Sequence, residues 1–286
     1  MWIMQTQAAR DAKKALDLPH AMIYFAPELQ REMAEVGLDS WSRAYFASRA
    51  APLGAVGPKV VAATFYNFNP ELVRRHIPAA WSIASPADIV AARFRAVSGA
   101  LERMLDAETL RSEAVEEAGR LAAKAAEGCS PAGKPLFAAH AEIEYPTEPH
   151  LRLWHALTLL REFRGDAHIA VLQHAGLGPL QAPVLQSSAG RGMNAATLKE
   201  TRAWSEEQWT DAQLELADRG LLDSSGAVTT AGEQLLDEIE HATDAASLEP
   251  WRNLDTSEFS RLLETGGALS EQLAEAGAVP KGIFEH

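Results

Sequence analysis

The densest set of chemically capable side chains lies in PHLRLWHALTLLREFRGDAHIAVLQHAG, residues 149–176. If this segment is helical, His155, Thr158 and Glu162 share one face, because residues three, four and seven positions apart stack. An imidazole and a carboxylate on a partly apolar face can form a pocket wall with perturbed pKa values. They can also be core residues whose hydrogen bonds are satisfied internally. Both interpretations stay open for His155 and Glu162.

The tripeptide Arg164-Gly165-Asp166 predicts a break in this segment. Gly165 suits the C-terminus of one helix and Asp166 the N-cap of the next. His168 would then lie in a first turn, where the positive helix end keeps imidazole neutral. A neutral His168 beside an arginine and a carboxylate could act as a general base or bind a ligand, and an exposed surface histidine is the alternative.

A second cluster is expected in the N-terminal half. His20, Tyr24 and Glu28 follow at four-residue steps, although Pro27 predicts a helix break just before Glu28. Arg49 could pair with Glu28 if the two segments pack together. The candidate catalytic residues are thus His168, His155 and Glu162. The candidate ligand-binding residues are His20, Tyr24, Glu28, Arg49, Tyr66, Asn67, Trp154, Arg164 and Asp166.

Metal and cofactor sites are not expected. His150 and His155 are five residues apart and lack the Glu of a His-Glu-x-x-His helix, and Cys129 is the sole cysteine. Neither a Gly-rich phosphate loop nor a Gly-x-Ser-x-Gly elbow is present. The sequence therefore predicts no metal and no cofactor.

Composition and charge are those of an acidic globular protein. The chain has 286 residues, 47% hydrophobic and 23% charged, with a formal net charge of −13. This charge gives no general attraction to nucleic acid or to an anionic membrane. The start, MWIMQTQAARDAKK, does not resemble a signal peptide, and no apolar run approaches the roughly 20 residues of a membrane helix. With one cysteine, a cytoplasmic location is expected.

The chain is expected to be mainly α-helical. Amphipathic runs predict helices at about 7–17, 87–104, 108–127, 149–163 and 257–275. Pro and Gly residues cluster at 128–148 and predict a linker between an N-terminal helical domain, 1–127, and a C-terminal domain, 149–286. Residues 35–54 and 174–193 share four identities at a constant offset. This indicates either a tandem duplication, with 1–127 as a degenerate winged-helix repeat, or two ordinary helix–turn–helix corners.

The predicted elements of Ser205–Glu240 follow the order found in the DNA-binding segment of a winged-helix domain. Ser205 and Gln208 predict a capping box, residues 223–226 a turn, and Ala227–Thr229 a short strand of a β-hairpin wing. The presumed recognition helix is acidic, with carboxylates at 206, 207, 211, 215 and 218 against Arg219. A helix that approaches phosphates should be basic, because counterion release supplies most of the affinity. DNA binding through Ser205–Arg219 is therefore disfavoured.

Several stretches resemble those of a known family. They are His20-Ala21 with Tyr24-Phe25-x-Pro27-Glu28, Arg49–Gly54, Thr64–Phe68, Pro149-His150-Leu151 with Trp154, Leu160–His168, and the Trp204–Glu207 helix with its wing. On these residues, nearly the whole chain resembles actinobacterial helix-turn-helix or MarR-like winged-helix proteins of unestablished function. The resemblance implies a winged-helix fold, and DNA binding only by analogy of fold. MarR-type wings usually carry basic residues, whereas residues 223–226 are short and acidic.

Three functions follow as hypotheses. The first is a small-molecule-binding MarR-like protein, either a ligand-responsive regulator or a sequestering or resistance protein, with a homodimer as an option. The second is a cofactor-free acid/base enzyme, an isomerase, lyase or hydrolase, with His, Glu and Arg in a pocket between the domains. The third, an ordinary DNA-binding regulator, is weakened by the acidic helix.

Overall fold

Helices make up most of the described part of the chain, residues 6–280 and 282 of the computed structural model. They are α1 (Thr6–Ala21), α2 (Pro27–Glu35), α3 (Trp41–Ala50), α4 (Pro58–Phe65), α5 (Pro70–His76), α6 (Pro86–Met104), α7 (Ala107–Leu110), α8 (Glu113–Ala126), α9 (Pro135–Ala141), α10 (Pro149–His174), α11 (Gln181–Ser188), α12 (Ala195–Arg202), α13 (Glu206–Asp218), α14 (Thr230–Ala246) and α15 (Thr256–Glu275). Short 3-10 turns occur at Met22–Tyr24, Ala51–Leu53, Ala79–Ser82 and Pro250–Asn253. The mainly α prediction is confirmed.

The predicted helix starts are confirmed where a capping side chain lies next to its helix. The Ser85 hydroxyl accepts a hydrogen bond from the Asp88 amide at 3.1 Å, at the start of α6. Ser205 and Gln208 form the reciprocal capping box of α13. These contacts satisfy amide groups that have no partner within their own helix, which fixes where the helix begins.

The predicted helix break at Gly165-Asp166 is wrong. Helix α10 continues without interruption from Pro149 to His174. The Asp166 carboxylate caps a different helix, since one of its oxygens accepts hydrogen bonds from the Leu136 and Phe137 amides at 3.0 Å each. Because this carboxylate is committed to the start of α9, it leaves the backbone of its own helix undisturbed.

The described residues form two compact units that interleave along the sequence. The first unit comprises residues 6–56, 76–167 and 244–279, and the second comprises 57–75 and 168–243, with 280 and 282. This division differs from the predicted one, because 128–148 lies inside the first unit and contains α9.

In the first unit, α1 packs against α15 and α2 against α6. Gly266 of α15 makes the first contact close, since a Cβ there would collide with Leu16 and lie 3.1 Å from the Ala15 carbonyl oxygen. The buried face of α6 carries alanines and Val97 together with one charged residue, Arg93, which is 3% exposed. A charged side chain at a core position points to the functional part of this unit.

The second unit contains α12, α13 and most of α14, the segment in which the sequence predicts the DNA-binding helices. Trp209, Leu216 and Leu185 form its core with apolar residues of α10, α12 and α14. The turn between α12 and α13 is held by Asn69, whose amide donates to the Arg202 carbonyl at 3.1 Å and whose side chain donates to the Ala203 carbonyl at 2.9 Å. These contacts hold α12 and α13 in place relative to each other.

The segment after α13 does not form the predicted wing. Among residues 6–280 and 282, the only β pairing is a single bridge between Leu222 and Val228. The Thr229 hydroxyl already accepts from the Gly232 amide at 3.1 Å, so α14 begins directly after the turn. Residues 227–229 contribute only the single bridge at Val228 and form no strand, so a β-hairpin wing is not supported.

The two segments with shared identities form similar corners. Each has a glycine with positive φ, Gly37 or Gly176, followed by a leucine, Leu38 or Leu177, that is at most 1% exposed. Such corners are common at helix ends, because glycine adopts the left-handed region without strain. The likeness is thus explained locally, and a tandem winged-helix arrangement is not supported.

We expect Gly266→Ala to lower the free energy of unfolding by about 1–3 kcal/mol, because the added methyl overpacks the contact between α15 and α1. The matched control is Gly267→Ala, where a Cβ meets nothing within 4 Å. That change should raise stability by up to about 1 kcal/mol through helix propensity. Thermal denaturation of both variants checks this, and equal effects would show that the α1–α15 contact is looser than described.

Candidate functional site

A group of buried and half-buried polar side chains lies in the first unit, and we call it the polar cluster. Its members come from α1 and the turn after it, and from α3, α6 and α10. They are His20, Tyr24, Arg49, Arg93, Thr158, Arg161 and Glu162, with Trp154 packed against them. Five of these, His20, Tyr24, Arg49, Trp154 and Glu162, are among the candidate residues chosen from the sequence.

A chain of hydrogen bonds with one possible direction runs through the polar cluster. The Thr158 hydroxyl donates to the Trp154 carbonyl at 2.9 Å, so its oxygen must accept from Nδ1–H of His20 at 3.0 Å. Nε2 of neutral His20 is then an acceptor, and the Tyr24 hydroxyl donates to it at 3.1 Å. The Tyr24 oxygen in turn accepts from Arg93 at 3.3 Å. This arrangement assigns Nδ1 of His20 as the donor and Nε2 as the acceptor.

The surroundings of His20 keep its imidazole neutral. The ring is completely buried and stacks on Trp154 with centroids 5.3 Å apart. Burial, reinforced by the positive charges of Arg161 and Arg93, holds the pKa of His20 well below its usual value. His20 can therefore accept a proton from Tyr24 only at an energetic cost.

Three guanidinium groups surround the Tyr24 side chain. Arg93 contacts its hydroxyl, and Arg49 and Arg161 each lie 5.6 Å from its ring centroid. Burial lowers the pKa of Arg93, yet a guanidinium stays charged at neutral pH. Burial also opposes the charge on Arg49, but Tyr45, Tyr24 and Glu162 outweigh it and raise its pKa. The centre of the polar cluster is cationic and aromatic.

One buried carboxylate faces these cations. Glu162 Oε1 lies 3.5 Å from Arg49 and 3.7 Å from Arg161. Charge-assisted bonds are normally about 2.7–2.9 Å. Glu162 therefore balances the two arginines electrostatically without a short ion pair. On its outer side, Arg161 donates to Asp17 at 3.0 Å.

A small cavity of about 40 Å³ reaches the polar cluster at Arg161 and lies wholly within the first unit. Its apolar wall is formed by Ala9, Ala12, Leu16, Leu157, Leu160 and Trp251. Its polar lining residues are Lys13, Asp17, Arg161, Arg164 and Ser247. The cavity thus combines an apolar lining with a few charged groups, as ligand sites do, but it has room only for a very small molecule.

Two histidines lie beside the polar cluster. The rings of His155 and His140 are 6.2 Å apart and both residues are at most 3% exposed. Neither nitrogen of His155 has a hydrogen-bond partner at good geometry among the described residues. Burial lowers the pKa of both, that of His155 to about 4, so both are neutral at neutral pH.

The other candidate residues of the first unit have structural partners. The predicted pair of Glu28 with Arg49 is wrong, because Glu28 binds Arg103 through both carboxylate oxygens, at 2.6 and 3.1 Å. Arg164 pairs with the buried Asp244 at 3.0 Å. Burial raises the pKa of Asp166 to about 6, while its bonds to the start of α9 oppose this.

Three candidates belong to the second unit. Tyr66 donates its hydroxyl to the Leu177 carbonyl at 2.7 Å, and the Asn67 carbonyl accepts from Trp204 at 2.9 Å. His168 is an interior residue of α10, not of a first turn, and its Nδ1 lies 3.0 Å from the Thr243 hydroxyl. These three residues thus belong to the second unit, whereas all members of the polar cluster belong to the first.

Arg93 and Arg161 were missed by sequence reasoning. A signal was present for Arg93, which replaces an apolar residue on the core face formed by Ile89, Ala96 and Ala100. Arg161 gives no such signal, because it lies next to Glu162 in a helix rich in charged residues. Its role depends on contacts with Asp17 and Tyr24, far away in sequence.

The exposed face of α13 is acidic, as predicted. Its exposed carboxylates are Glu206, Glu207, Asp211, Glu215 and Asp218. The nearby basic residues are already engaged, Lys199 by Glu206 at 2.7 Å and Arg191 by Asp237 at 2.9 Å. A duplex approaching this face would meet like charge.

Metal-binding clusters and membrane helices were also sought. Within residues 6–280 and 282, no three His, Cys, Asp or Glu side chains lie together as metal ligands would. None of the helices described above combines the length and apolar character that crossing a bilayer requires.

The buried histidines predict a stability that falls in acid. Their folded pKa values lie below the unfolded value of about 6.5, so below that pH the unfolded chain binds protons that the folded protein excludes. The free energy of unfolding should therefore be fully present above about pH 6.5 and fall by about 1.4 kcal/mol per pH unit for each such proton.

Asp166 acts in the opposite direction, because its raised pKa lets the folded protein bind a proton more readily than the unfolded chain between about pH 6 and 4. Urea denaturation at several pH values measures the net effect, and His155→Phe should make the dependence shallower. Stability that is constant or rises from neutral pH to about pH 5 would contradict the neutral burial of these rings.

Comparison with known proteins gives one result. A model described as a helix-turn-helix family matches residues 9–280, which is most of the chain. No curated protein and no solved structure matched. The match covers both the polar cluster and the segment from α12 to α14. On this evidence the chain belongs to that helix-turn-helix family.

Proposed function

We propose that this helix-turn-helix protein binds a small molecule at the polar cluster, as a ligand-responsive regulator or as a sequestering or resistance protein. The supporting observation is the convergence of His20, Tyr24 and Arg49 with Arg161, which also lines the cavity. Polar groups held in fixed positions by buried partners, next to an apolar cavity, suit recognition of a small molecule.

The acidic face of α13 supports a role other than direct reading of DNA. Its carboxylates are exposed, and the basic residues Lys199 and Arg191 are paired with acidic side chains. A MarR-like relationship and an actinobacterial source are part of the proposal and rest on the resemblance. A homodimer is proposed as an option, and a cytoplasmic location is proposed from the single cysteine. If the protein regulates transcription, DNA must contact a face other than α13.

An acid/base enzyme is the second candidate, and one observation favours it. The Tyr24 hydroxyl lies between a buried base, His20, and a cation, Arg93, in a chain of fixed polarity. Such a hydroxyl could turn from His20 and give its proton to a bound molecule, and Arg93 would stabilise the tyrosinate that remains. In this version Tyr24 replaces His168 and His155 as the reacting group.

A library of small neutral, cationic and anionic fragments tests the proposal. We expect some fragments to raise the melting temperature of the wild-type protein. Arg161→Gln should lower their affinity about tenfold, because Arg161 lines the cavity. Tyr24→Phe should also lower it about tenfold, because it removes the hydroxyl that links His20 and Arg93 in the polar cluster. Saturation-transfer NMR gives the affinities. Tyr145→Phe is the matched control, because it also removes a tyrosine hydroxyl from the first unit.

The absence of any binding fragment, or binding that neither variant weakens, would contradict the proposal. The same samples separate the two functions. A binding protein returns its fragment unchanged, whereas an enzyme gives new proton NMR signals whose appearance requires the Tyr24 hydroxyl.

We expect wild-type protein not to bind a random-sequence DNA duplex even at about 20 mM salt, because the α13 face repels phosphate. Replacing Glu206, Glu207 and Asp211 by their amides should allow weak, salt-sensitive binding. The control carries the same charge change at Glu264, Glu271 and Glu275 of α15. Fluorescence anisotropy measures both variants, and salt-dependent binding by the wild type would contradict the prediction.

A further inference from the structure

We propose that the ligand is a short organic carboxylate, with its charged group against Arg161 and its alkyl chain in the adjoining cavity. This inference rests on the proposed function and adds the chemical class of the molecule. It follows from the charge of the polar cluster, from the way its arginines are paired, and from the shape and lining of the cavity.

The charges of the polar cluster do not cancel. Three guanidiniums, those of Arg49, Arg93 and Arg161, face the carboxylates of Glu162 and Asp17. The side chain of Asp17 is 48% exposed, so water screens it more than it screens Glu162, which is 4% exposed. Arg49 and Arg93 are largely buried and Arg161 is 34% exposed, and a surplus of positive charge that water reaches only in part favours an anion beside it.

Arg93 shows this surplus most clearly. It is 3% exposed, and its hydrogen bonds go to the Ser48 carbonyl at 3.1 Å and the Tyr24 hydroxyl at 3.3 Å. Its guanidinium also lies over the Trp154 ring at 5.0 Å. No carboxylate forms an ion pair with it in the part of the chain that the structure describes. Neutral acceptors and an aromatic ring solvate this cation without neutralising it.

The cavity supplies the apolar half of the site. Leu16, Leu157 and Trp251 line it, and Arg161 stands where it meets the polar cluster. Its volume of about 40 Å³ corresponds to roughly three water-sized spheres, given about 10–15 Å³ for each. A carboxylate with a chain of about two to four carbons suits this room, whereas inorganic phosphate would leave the apolar wall without a partner.

The carboxylate of Asp17 already binds Arg161, so it would compete with the carboxylate of a ligand for that guanidinium. The Asp17 carboxylate accepts from Nε of Arg161 at 3.0 Å at the rim of the cavity, and it is half-exposed. A ligand carboxylate would share or displace this bond. Removing the charge of Asp17 should therefore tighten the binding of an anion, whereas removing the charge of Arg161 should weaken it.

Isothermal titration with butyrate and butyramide tests the inference on the wild-type protein at low salt. The two molecules have the same shape and differ in charge. We expect butyrate to bind at least about tenfold more tightly, because a charge-assisted bond is worth roughly twice a neutral one. Asp17→Asn should tighten butyrate binding, and Arg161→Gln should weaken it. Arg31→Gln, an exposed change elsewhere in the first unit, should have no effect.

Equal affinity for butyrate and butyramide would overturn the inference, and this result depends on no variant. So would butyrate binding that is insensitive to both Asp17 and Arg161. If neutral fragments bind in a Tyr24-dependent way and carboxylates do not, the proposed function stands and the anionic class is wrong. If no fragment of any charge binds, both are wrong.

Discussion

The neutral imidazole of His20, buried between α10 and the end of α1, is the element on which the polar interior of the first unit depends. Because the Thr158 hydroxyl is committed to the carbonyl of Trp154, Nδ1 of His20 has to be the donor. Tyr24 is therefore held as a donor to Nε2, and its oxygen is presented to Arg93. One hydroxyl in α10 thus sets the polarity of groups on α1, the turn after it, and α6.

This fixed polarity explains how positive charge can collect inside a protein with a formal net charge of −13. The hydroxyl of Tyr24 and the carbonyl of Ser48 accept from Arg93, and aromatic rings cover the guanidiniums. The second unit shows the reverse arrangement, with a recognition-like helix whose exposed face is acidic. The local charge of each unit, and not the net charge of the protein, determines which charged partners that unit can bind.

Sequence reasoning succeeded where a residue acts on its neighbours in the chain. Ser85 and Ser205 accept hydrogen bonds from amides three residues further on, and for Ser205 the capping-box pattern with Gln208 was sufficient to predict this. Asp166 also accepts hydrogen bonds from amides at the start of a helix, but these amides lie about 30 residues away in the sequence. The residues next to Asp166 give no indication of them. Glu28 likewise pairs with Arg103, 75 residues further on, and not with Arg49.

The candidate site was predictable in part for the same reason. Periodicity placed His155, Thr158 and Glu162 on one helix face, and Thr158 and Glu162 belong to the polar cluster. His20 and Tyr24 were selected as neighbours four residues apart, and they do form a hydrogen bond. The meeting of these two groups across 138 residues of sequence, and the guanidinium of Arg93 between them, required the fold. Tyr66 and Asn67 are of residue types that are common in ligand sites. In this protein they instead form hydrogen bonds with Leu177 and Trp204 within the second unit.

Nitrogen-15 NMR of histidine-labelled protein tests the centre of this arrangement most directly, with His20 assigned by comparison with His20→Gln. We expect His20 to be neutral, with its proton on Nδ1, across the range from about pH 8 to pH 5. A proton on Nε2, or an ordinary titration near pH 6.5, would contradict the hydrogen-bond chain and the cationic site that is built on it.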